Sequence, residues 1–420
     1  MADELTASRK IYKLLLAKTS APQPAMRAWT GETWGPPDAT STIVLKHPGS
    51  LRAAFLPPSD LVAGEAYIYD DIDIEGNIVD LLYFGAELDQ LRTSKLSVAR
   101  LARLLRRLPA DNRRQEADRP RLEGRTHSPE RDRSAVRYHY DTGNDFFEQF
   151  LDPEMVYSCA YFLDPEESLE AAQHRKLDLI CRKLQLQPGQ RLLDVGCGWG
   201  ALVRHAAANF GVTAVGITLS PAQAAEAKLR VTQDGLDDRV TIEVRDYRKV
   251  KGEFDAIASI GMFEHVGESK LAEYFGKLHS LLAPGGVLLN HGITNRSRRR
   301  RFRRQRKTFV STYVFPDGNL LPIDTSIGAA ETAGFEARDA ESLRADYALT
   351  LRSWVTNLEE NREAAVAAAD DVTYRIWRMY MAGSVVGFES AGISVYQVLY
   401  AKPERDWSFG RRWASAADDA

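Results

Sequence analysis

Three glycines spaced two residues apart, Gly196, Gly198 and Gly200, follow the short apolar run 191–195 and precede an alanine-rich stretch. This order predicts a β-strand, a tight loop and the start of a helix. Glycines let the loop backbone lie directly against a ligand, and the first helical turn offers free N–H groups. A dinucleotide-binding loop would place a further glycine three residues after Gly200, where the chain has Val203. We therefore interpret the loop as a site for S-adenosylmethionine (SAM), with a purely structural turn as the alternative.

Polar side chains follow the other apolar runs of the same region. The run 212–217 ends at Thr218, whereas ordinary SAM-dependent methyltransferases have an acidic residue there that binds the ribose. We therefore expect Thr218 and Gln223 to supply that polar contact. Asp246 follows the run 240–245 in the same way. Carboxyl ends of parallel strands meet at one edge of a sheet, which predicts that these side chains lie near the glycine loop.

The elements that must position these residues form the alternating pattern of an α/β fold. Strands are predicted at 191–195, 212–217, 240–245, 254–260, 287–293, 335–339 and 393–401, and helices at 201–210, after Ser220 and at 268–282. Ser220, Pro221 and Gln223 match a helix start closed by a capping box. Segment 343–389 is predicted to be helical and is too long for a connection, so we expect it to cover the active site. The pattern predicts a Rossmann-like methyltransferase domain with a helical insertion.

Residues 42–106 predict a small α+β domain ahead of this one. The apolar runs TIVLKHP, LRAAFLPPSD and GEAYIYDDIDIEGN are interpreted as strands and turns, and two helical stretches follow. The second stretch is an amphipathic basic helix, because it sets Leu96, Leu101, Leu104, Leu105 and Leu108 against Arg100, Arg103, Arg106 and Arg107. Such a helix covers its own domain or contacts a membrane surface.

Charge is distributed unevenly, although the net charge is only −3. Residues 109–135 combine seven arginines and six acidic residues with almost no apolar side chains, so they cannot bury enough surface to order themselves. We interpret them as a linker between domains 1–108 and 136–420. In the run Arg296–Lys307, nine of twelve residues are cationic. Such a run is a solvated loop or a docking patch for anionic headgroups or nucleic acid.

Composition limits the remaining classes. With 44% hydrophobic residues, 420 positions can bury more than one core. The acidic start of the chain has no apolar leader behind it, and no apolar run approaches the length of a membrane span, so we expect a cytoplasmic protein. The three cysteines, Cys159, Cys181 and Cys197, form neither a disulfide framework nor a metal-binding pair, and no metal site is expected.

Eight segments resemble, in family order across residues 136–400, the motifs of the cyclopropane-fatty-acyl-phospholipid synthases. They are YHYDTGNDFF (138–147), MVYSCAYF (155–162), LLDVGCGWG (192–200), GITLSPAQ (216–223), DYR (246–248), GMFEHVG (261–267), VFPDG (314–318) and ADYALTL (345–351). The family includes the mycolic acid cyclopropane synthases and enzymes that make methyl or methylene branches. GEAYIYDDIDIEGN is similar to the lipid-docking N-terminal domain of the same family.

The resemblance implies methyl transfer from SAM to the double bond of an unsaturated phospholipid acyl chain, through a carbocation that loses a proton to bound bicarbonate. It implies a bicarbonate site at Cys159, Glu264, His291, Tyr347 and the backbone of Ile293. It also implies a SAM site at Tyr157, Ser158, Gly196, Gly198, Thr218, Gln223, Asp246 and Tyr247. Aromatic rings such as those of Tyr157, Phe162 and Tyr347 suit a carbocation, because the ring quadrupole attracts positive charge. Taken alone, Cys159 would be a buried apolar residue and His291 a hydrogen-bonded core histidine.

Several alternatives stay open at this point. A cyclopropane and a mid-chain methylene branch arise from the same methylated cation, so the residues do not choose the product. An RNA methyltransferase could use the arginine run, although no RNA-binding module or NPPY-like loop accompanies it. A membrane-binding protein without activity would not need Glu264 or the glycines. We favour an enzyme associated peripherally with the inner membrane face, with an anionic membrane surface as partner, no nucleic acid, and a homodimer left open.

Overall fold

The structure is a computed structural model that describes residues 2–16, 22–90, 95–110, 131, 142–296, 307–316, 318 and 320–403. The chain forms two compact units. The first comprises 1–121, 304–316 and 365–386, and the second comprises 122–303, 317–364 and 387–420. Most of the predicted linker 109–135 and of the arginine run lies outside the described residues.

The first unit contains a four-stranded sheet with the strand order β2-β1-β3-β4. Strand β1 pairs antiparallel with β2 and parallel with β3, which pairs antiparallel with β4. The strands are β1 (Ala25–Arg27), β2 (Thr33–Trp34), β3 (Ser41–Leu45) and β4 (Ile72–Gly76). The helices are Ala2–Leu16, Ser50–Phe55, Asp60–Ile68, Ile78–Gln90, Lys95–Leu105 and Phe309–Tyr313, with Asp371–Glu389 as far as residue 386.

Two apolar runs of this unit are helices and not the predicted strands. The first five residues of LRAAFLPPSD belong to helix Ser50–Phe55, and the first five of GEAYIYDDIDIEGN belong to helix Asp60–Ile68, while its later part forms β4. The Ser59 hydroxyl accepts a hydrogen bond from the Val62 N–H and thereby caps the second helix. That helix is buried on nearly all sides, so its sequence lacks the polar face that would have identified it.

Segment 365–386 belongs to the first unit, whereas the sequence assigned everything after residue 136 to one domain. Arg378 explains this attachment, because its guanidinium donates to the Tyr67 hydroxyl and to the backbone oxygens of Ile74 and Gly76. Arg375 adds a hydrogen bond to the Tyr67 backbone oxygen. Buried arginines with several acceptors hold a segment in one position more strongly than exposed ones.

The second unit is built on a seven-stranded sheet with the order β10-β11-β9-β8-β5-β6-β7. Strands β9, β8, β5, β6 and β7 are parallel to one another, while β11 is antiparallel to both β9 and β10. The strands are β5 (Arg191–Val195), β6 (Thr213–Thr218), β7 (Val240–Val244), β8 (Phe254–Ile260), β9 (Leu282–Asn295), β10 (Glu336–Ser342) and β11 (Ile393–Ala401). This Rossmann-like α/β architecture confirms the predicted fold class.

Helices pack on the sheet over two apolar cores of buried leucine, valine, alanine and aromatic side chains. The helices with side chains in these cores are Leu169–Lys183, Ala201–Phe210, Pro221–Gln233, Leu271–Leu281 and Ile323–Thr332. The unit also contains helices Asn144–Phe147 and Arg344–Glu360. The predicted insertion consists of Arg344–Glu360, Arg362–Ala368 and Asp371–Glu389. Within the described residues, no helix is long and apolar enough to cross a membrane.

Candidate active site

The glycine loop turns sharply between β5 and helix Ala201–Phe210. Gly196 and Gly198 have φ angles of +87° and +54°, a region in which glycine is favoured. The backbone N–H groups of Gly196 and Cys197 both donate to the Ile217 oxygen at 2.9 Å, which holds the loop against the end of β6. The Trp199 indole N–H donates to the Asn144 side chain at 2.9 Å and fixes the far side of the loop.

A cavity of about 170 Å³ opens beside this loop. Its walls come from the carboxyl ends of β5, β6 and β8 and from segment 155–158. All eight residues predicted to bind the cofactor line it: Tyr157, Ser158, Gly196, Gly198, Thr218, Gln223, Asp246 and Tyr247. The structure therefore brings the predicted set together around one space, as the strand-edge argument requires.

Thr218 and Gln223 are joined directly, since the Thr218 hydroxyl donates to Gln223 Oε1 at 2.8 Å. Ser220 caps the next helix by accepting the Gln223 N–H at 3.3 Å, as predicted. The Gln223 side chain does not close the predicted capping box, because Thr218 holds its oxygen. The pair thus replaces the missing acidic residue with a linked hydroxyl and amide at the cavity wall.

Asp246 presents an ionised carboxylate to the cavity. It accepts hydrogen bonds from the Arg248 backbone N–H at 2.9 Å and from Arg248 Nε and Nη2 at 2.8 and 2.6 Å. Although burial opposes ionisation, these bonds keep the pKa of Asp246 below its usual range. The carboxylate is therefore an anion at neutral pH and suits hydroxyl donors of a ligand.

A buried polar stripe on helix Leu169–Lys183 was missed by the sequence analysis. Gln173 Nε2 donates to the backbone oxygens of Val156 and Ser158, and Lys176 Nζ donates to the Ser158 hydroxyl at 2.9 Å. Lys176 and Lys183 are each only 1% exposed. In the sequence, such residues look like an ordinary solvent-facing stripe, because nothing local shows which face of the helix is covered.

Burial shifts the charges at the cavity floor toward neutrality. It lowers the pKa of Lys176 to about 8, against the opposing influence of Asp152, Cys159 and Asp194. It raises the pKa of Asp194 to about 7, with Lys176 opposing. Both residues line the cavity, so a cationic ligand would meet a floor whose charge depends on pH near neutrality.

Glu264 and Ile293, two members of the predicted catalytic set, are in direct contact. Glu264 Oε1 accepts the Ile293 backbone N–H at 2.6 Å. Glu264 Oε2 is buried and has no hydrogen-bond partner within the part of the chain that the structure describes. Burial raises the pKa of Glu264 to about 7, with the Ile293 N–H opposing. Glu264 is thus a buried carboxyl group that exchanges a proton near neutral pH.

His291 lies two residues before Ile293 on β9 and is also buried. Its Nδ1 lies 3.2 Å from Gln397 Nε2, and its Nε2 has no hydrogen-bond partner among the described residues. Burial, together with the charges of Lys176 and Lys183, lowers the pKa of His291 to about 3. The imidazole is therefore neutral over the physiological range.

Cys159 and Tyr347 share one backbone acceptor. The Cys159 thiol donates to the Leu343 oxygen at 3.6 Å, and the Tyr347 backbone N–H donates to the same oxygen at 2.9 Å. The Leu343 N–H in turn donates to Val395, which lies opposite Ile293 across β11 and β9. Burial, reinforced by Asp346, raises the pKa of Cys159 well above its usual range, so the residue remains a thiol. This chain of contacts links all the predicted catalytic residues except His291, which is on the same strand as Ile293.

A series of touching aromatic rings connects the glycine loop with Tyr347. Trp199 and Tyr157 both contact Phe147, at ring-centroid distances of 5.2 and 5.5 Å. Trp354 then lies 5.2 Å from Tyr157 and 6.0 Å from Tyr347. The aromatic series thus runs from the cofactor loop into helix Arg344–Glu360, the first helix of the predicted insertion. Among the described residues, no group of three or more His, Cys, Asp or Glu side chains could hold a metal ion.

Comparison with known proteins finds similarity to cyclopropane synthases and fatty acid methyltransferases. A family model described as mycolic acid cyclopropane synthetase matches residues 127–398. The chain is 38% identical to the probable fatty acid methyltransferase of Pseudomonas putida, over 92% of this chain and 94% of that protein. It is 39% identical to the cyclopropane-fatty-acyl-phospholipid synthase of Escherichia coli (strain K12), over 63% of this chain and 66% of that protein. The solved structure of mycolic acid cyclopropane synthase CmaA1, complexed with SAH and CTAB, is 35% identical, with a TM-score of 0.61 over 64% of this chain and 98% of that one.

Proposed function

The chain belongs to the mycolic acid cyclopropane synthetase family of SAM-dependent methyltransferases, and on that premise we propose that it acts on an unsaturated acyl chain of a membrane phospholipid. The proposed product is a cyclopropane fatty acyl chain. The observation that carries the proposal is the aromatic series from Trp199 to Tyr347. A row of rings beside a methyl donor can stabilise a carbocation, because the ring faces attract positive charge and offer no lone pair that would trap it.

The chemistry requires a dry and well-oriented site. An alkene is a weak, uncharged nucleophile, so it must be held in line with the methyl donor and away from water. When bound, SAM would supply an electrophilic methyl group, with the alkene π electrons forming the new C–C bond as the methyl–sulfur bond breaks. The buried rings of Phe147 and Trp354 exclude water, and the faces of the half-buried Tyr157 and of Tyr347 stabilise the positive charge left on the acyl chain.

The proton released on ring closure needs a base, and the residues present fit a bound bicarbonate. Glu264 Oε2 and His291 Nε2 are buried polar atoms without a partner among the described residues, which is the environment that a small oxyanion would satisfy. When bound, bicarbonate would supply a base for the proton lost from the new methyl group. Tyr347 as a phenol would add a donor, whereas the single hydrogen of the Cys159 thiol is already directed at backbone oxygens. Ile293 departs from the expectation, since its N–H already donates to Glu264.

A second candidate product is a methyl or methylene branch at mid-chain. One observation favours it: the relative that matches over 92% of this chain is named a probable fatty acid methyltransferase. Both products follow from the same methylated cation, so the same cavity and the same aromatic series serve either one. The fate of the cation distinguishes them. Loss of a proton from the new methyl group closes the ring, and loss of a proton from the methyl-bearing chain carbon leaves a methyl branch on a retained double bond. A methylene branch needs a 1,2-hydride shift along the chain before a methyl proton is lost.

An anionic membrane surface is the proposed partner of this activity. The exposed arginines of helix Lys95–Leu105, Arg100 and Arg103, together with the run Arg296–Lys307, would attract acidic headgroups. The motif GEAYIYDDIDIEGN has a structural role in the first unit, because its residues Glu65, Tyr67 and Asp71 are buried. Lipid contact is therefore assigned to the basic surfaces and not to that motif. The protein would associate peripherally with the inner face of the membrane.

Transfer of a labelled methyl group into lipid tests this proposal. The protein is incubated with methyl-labelled SAM and vesicles of dioleoyl phospholipid, with dipalmitoyl vesicles as the matched control. We expect label in the dioleoyl lipid only, because the saturated chain has no π electrons to form the new bond. Equal label in both lipids, or none in either, would contradict methyl transfer to a double bond.

A further inference from the structure

One row of polar side chains crosses the sheet beside the candidate catalytic residues. Glu341 on β10 lies opposite Gln397 on β11, and Gln397 lies opposite His291 on β9. Cross-strand partners present their side chains on the same face of a sheet, so the three form a continuous row. Gln397 is 1% exposed, and His291 is 2% exposed. Two of the three side chains are thus sealed from solvent.

Lys183 fixes the orientation of the Gln397 amide. Its ammonium group is buried, pairs with Glu341 and donates to Gln397 Oε1 at 2.8 Å. An ammonium group carries only donors, so the amide oxygen must face it. The amide nitrogen must then face His291 Nδ1, which lies 3.2 Å away. The orientation of the amide follows from this donor and acceptor pattern and needs no observed hydrogen position.

The amide orientation determines which imidazole nitrogen carries the proton. An amide N–H can only donate, so His291 Nδ1 must accept with its lone pair, and the proton of the neutral ring must be on Nε2. Burial and the nearby Lys176 and Lys183 charges lower the pKa of His291, which keeps the ring neutral. Nε2 is the atom that has no hydrogen-bond partner among the described residues. A single N–H donor therefore remains for a ligand.

We propose that Lys183 and Gln397 are positioning residues that hold His291 as the Nε2-protonated tautomer, so that the site offers an N–H donor to an oxygen ligand. The inference deepens the proposed function and rests on its assignment of His291 to the active site. The opposite tautomer would aim a lone pair at the oxygen and repel it. Charged groups around the row are Lys176, Lys183, Glu341, Asp339, which lies 3.9 Å from Lys183, and Glu264 beside Ile293.

The tautomer can be read directly in the full-length protein. Histidine is labelled with ¹⁵N, and long-range ¹H–¹⁵N correlation spectra are recorded between pH 6 and 8, with His291→Asn to assign the ring signals. We expect a protonated Nε2 and an unprotonated Nδ1 that do not change over this range. A ring protonated on Nδ1, or a mixture of tautomers in the wild-type protein, would overturn the proposal.

Two variants separate positioning from simple structural support. Gln397→Glu places an acceptor at Nδ1, so His291 should become protonated there, and kcat should fall about 10- to 100-fold, as for outer partners of functional histidines. Lys183→Met should leave the amide free to rotate and yield both tautomers. SAM affinity should stay unchanged in both variants, because neither residue lines the cavity. Gln233→Glu, on an exposed helix end, is the matched control and should change nothing.

The two claims fail in different ways. If no lipid is methylated but the spectra show the Nε2-protonated ring, the proposed function fails and the positioning assignment holds. If lipid is methylated and Gln397→Glu alters neither the ring signals nor the pH dependence of kcat, the positioning assignment fails. Unchanged SAM binding in each variant confirms that the protein has folded.

Discussion

Glu264 accepts the backbone N–H of Ile293 through one carboxylate oxygen at 2.6 Å, while its other oxygen, equally buried, has no hydrogen-bond partner in the described part of the chain. Glu264 lies in the short helical turn Phe263–His265, and this one bond to β9 fixes the orientation of its carboxyl group while the unpartnered oxygen stays available. An unsatisfied buried carboxylate oxygen costs free energy that folding alone does not recover. This relationship supports our proposal that Glu264 has a functional role.

Replacing Glu264 with glutamine should remove proton exchange at this position and leave its shape. The amide oxygen of Glu264→Gln can still accept the Ile293 N–H, but the group can no longer gain or lose a proton. We expect kcat to fall about 100-fold, with SAM affinity unchanged in calorimetric titration. Glu253→Gln, at an exposed position, is the matched control. Wild-type turnover of Glu264→Gln in bicarbonate-free buffer would contradict the assignment.

The same substitution should also change how stability depends on pH. Burial raises the pKa of Glu264 to about 7 from its ordinary value of 4.5, so the folded protein binds more protons than the unfolded chain between these values. Stability of the wild type should therefore fall as pH rises through this window, by up to about 3 kcal/mol from this one group. Urea unfolding at pH 5 and 8 should show that the free energy of unfolding of Glu264→Gln increases relative to that of the wild type at the higher pH. A stability difference between the two proteins that does not depend on pH would show that the pKa of Glu264 is not raised.

The glycine loop should tolerate no side chain at residue 198 if the cavity holds SAM. A Cβ built on Gly198 meets no protein atom within 4 Å, so the protein itself leaves room for one, and only a ligand in the cavity would collide with it. Gly198→Val should abolish SAM binding in calorimetric titration. Gly235→Val is the matched control, because Gly235 also has a positive φ and open space but lies outside the cavity. If both variants bind SAM, or if neither binds it, the result would contradict the assignment of the glycine loop to the cofactor site.

Neutralising the arginine run should weaken membrane binding. Replacing the arginines from Arg298 to Arg304 with glutamine removes positive charges, and the attraction of such charges to headgroups is screened beyond about 10 Å at 0.1 M salt. We expect weaker co-sedimentation with phosphatidylglycerol vesicles, a flatter salt dependence, and no change with neutral phosphatidylcholine vesicles. Unchanged binding to the acidic vesicles would identify the run as a solvated loop.

The strands of the second unit were predictable because burial leaves a direct mark on their sequences. Arg191–Val195, Phe254–Ile260 and Ile393–Ala401 are short runs rich in apolar residues, and their predicted bounds match the structure. Helix Asp60–Ile68 was misread because it is buried on nearly every side and so lacks helical periodicity. Burial on all sides removes the pattern on which such predictions depend.

The candidate site divides in a similar way. Six of the eight predicted cofactor residues, all except Tyr157 and Ser158, lie at or shortly after strand ends, so topology alone brings these six to one edge of the sheet. Lys183 and Gln397 are separated by 214 positions and meet only because helix Leu169–Lys183 covers the face of β11. Nothing in the local sequence distinguishes a buried lysine with partners from an exposed one. Contacts of this kind become visible only in the folded chain.

The central claim, carbon methylation at an acyl double bond, is tested most directly by the position of the transferred carbon. The protein is incubated with SAM carrying a ¹³C-labelled methyl group and dioleoyl phosphatidylethanolamine vesicles, and the extracted lipid is examined by ¹³C NMR. We predict one labelled carbon in a cyclopropane ring within the acyl chain; a labelled methylene or methyl branch there would select the second candidate product. A label on the headgroup nitrogen, or an unlabelled lipid, would contradict the account.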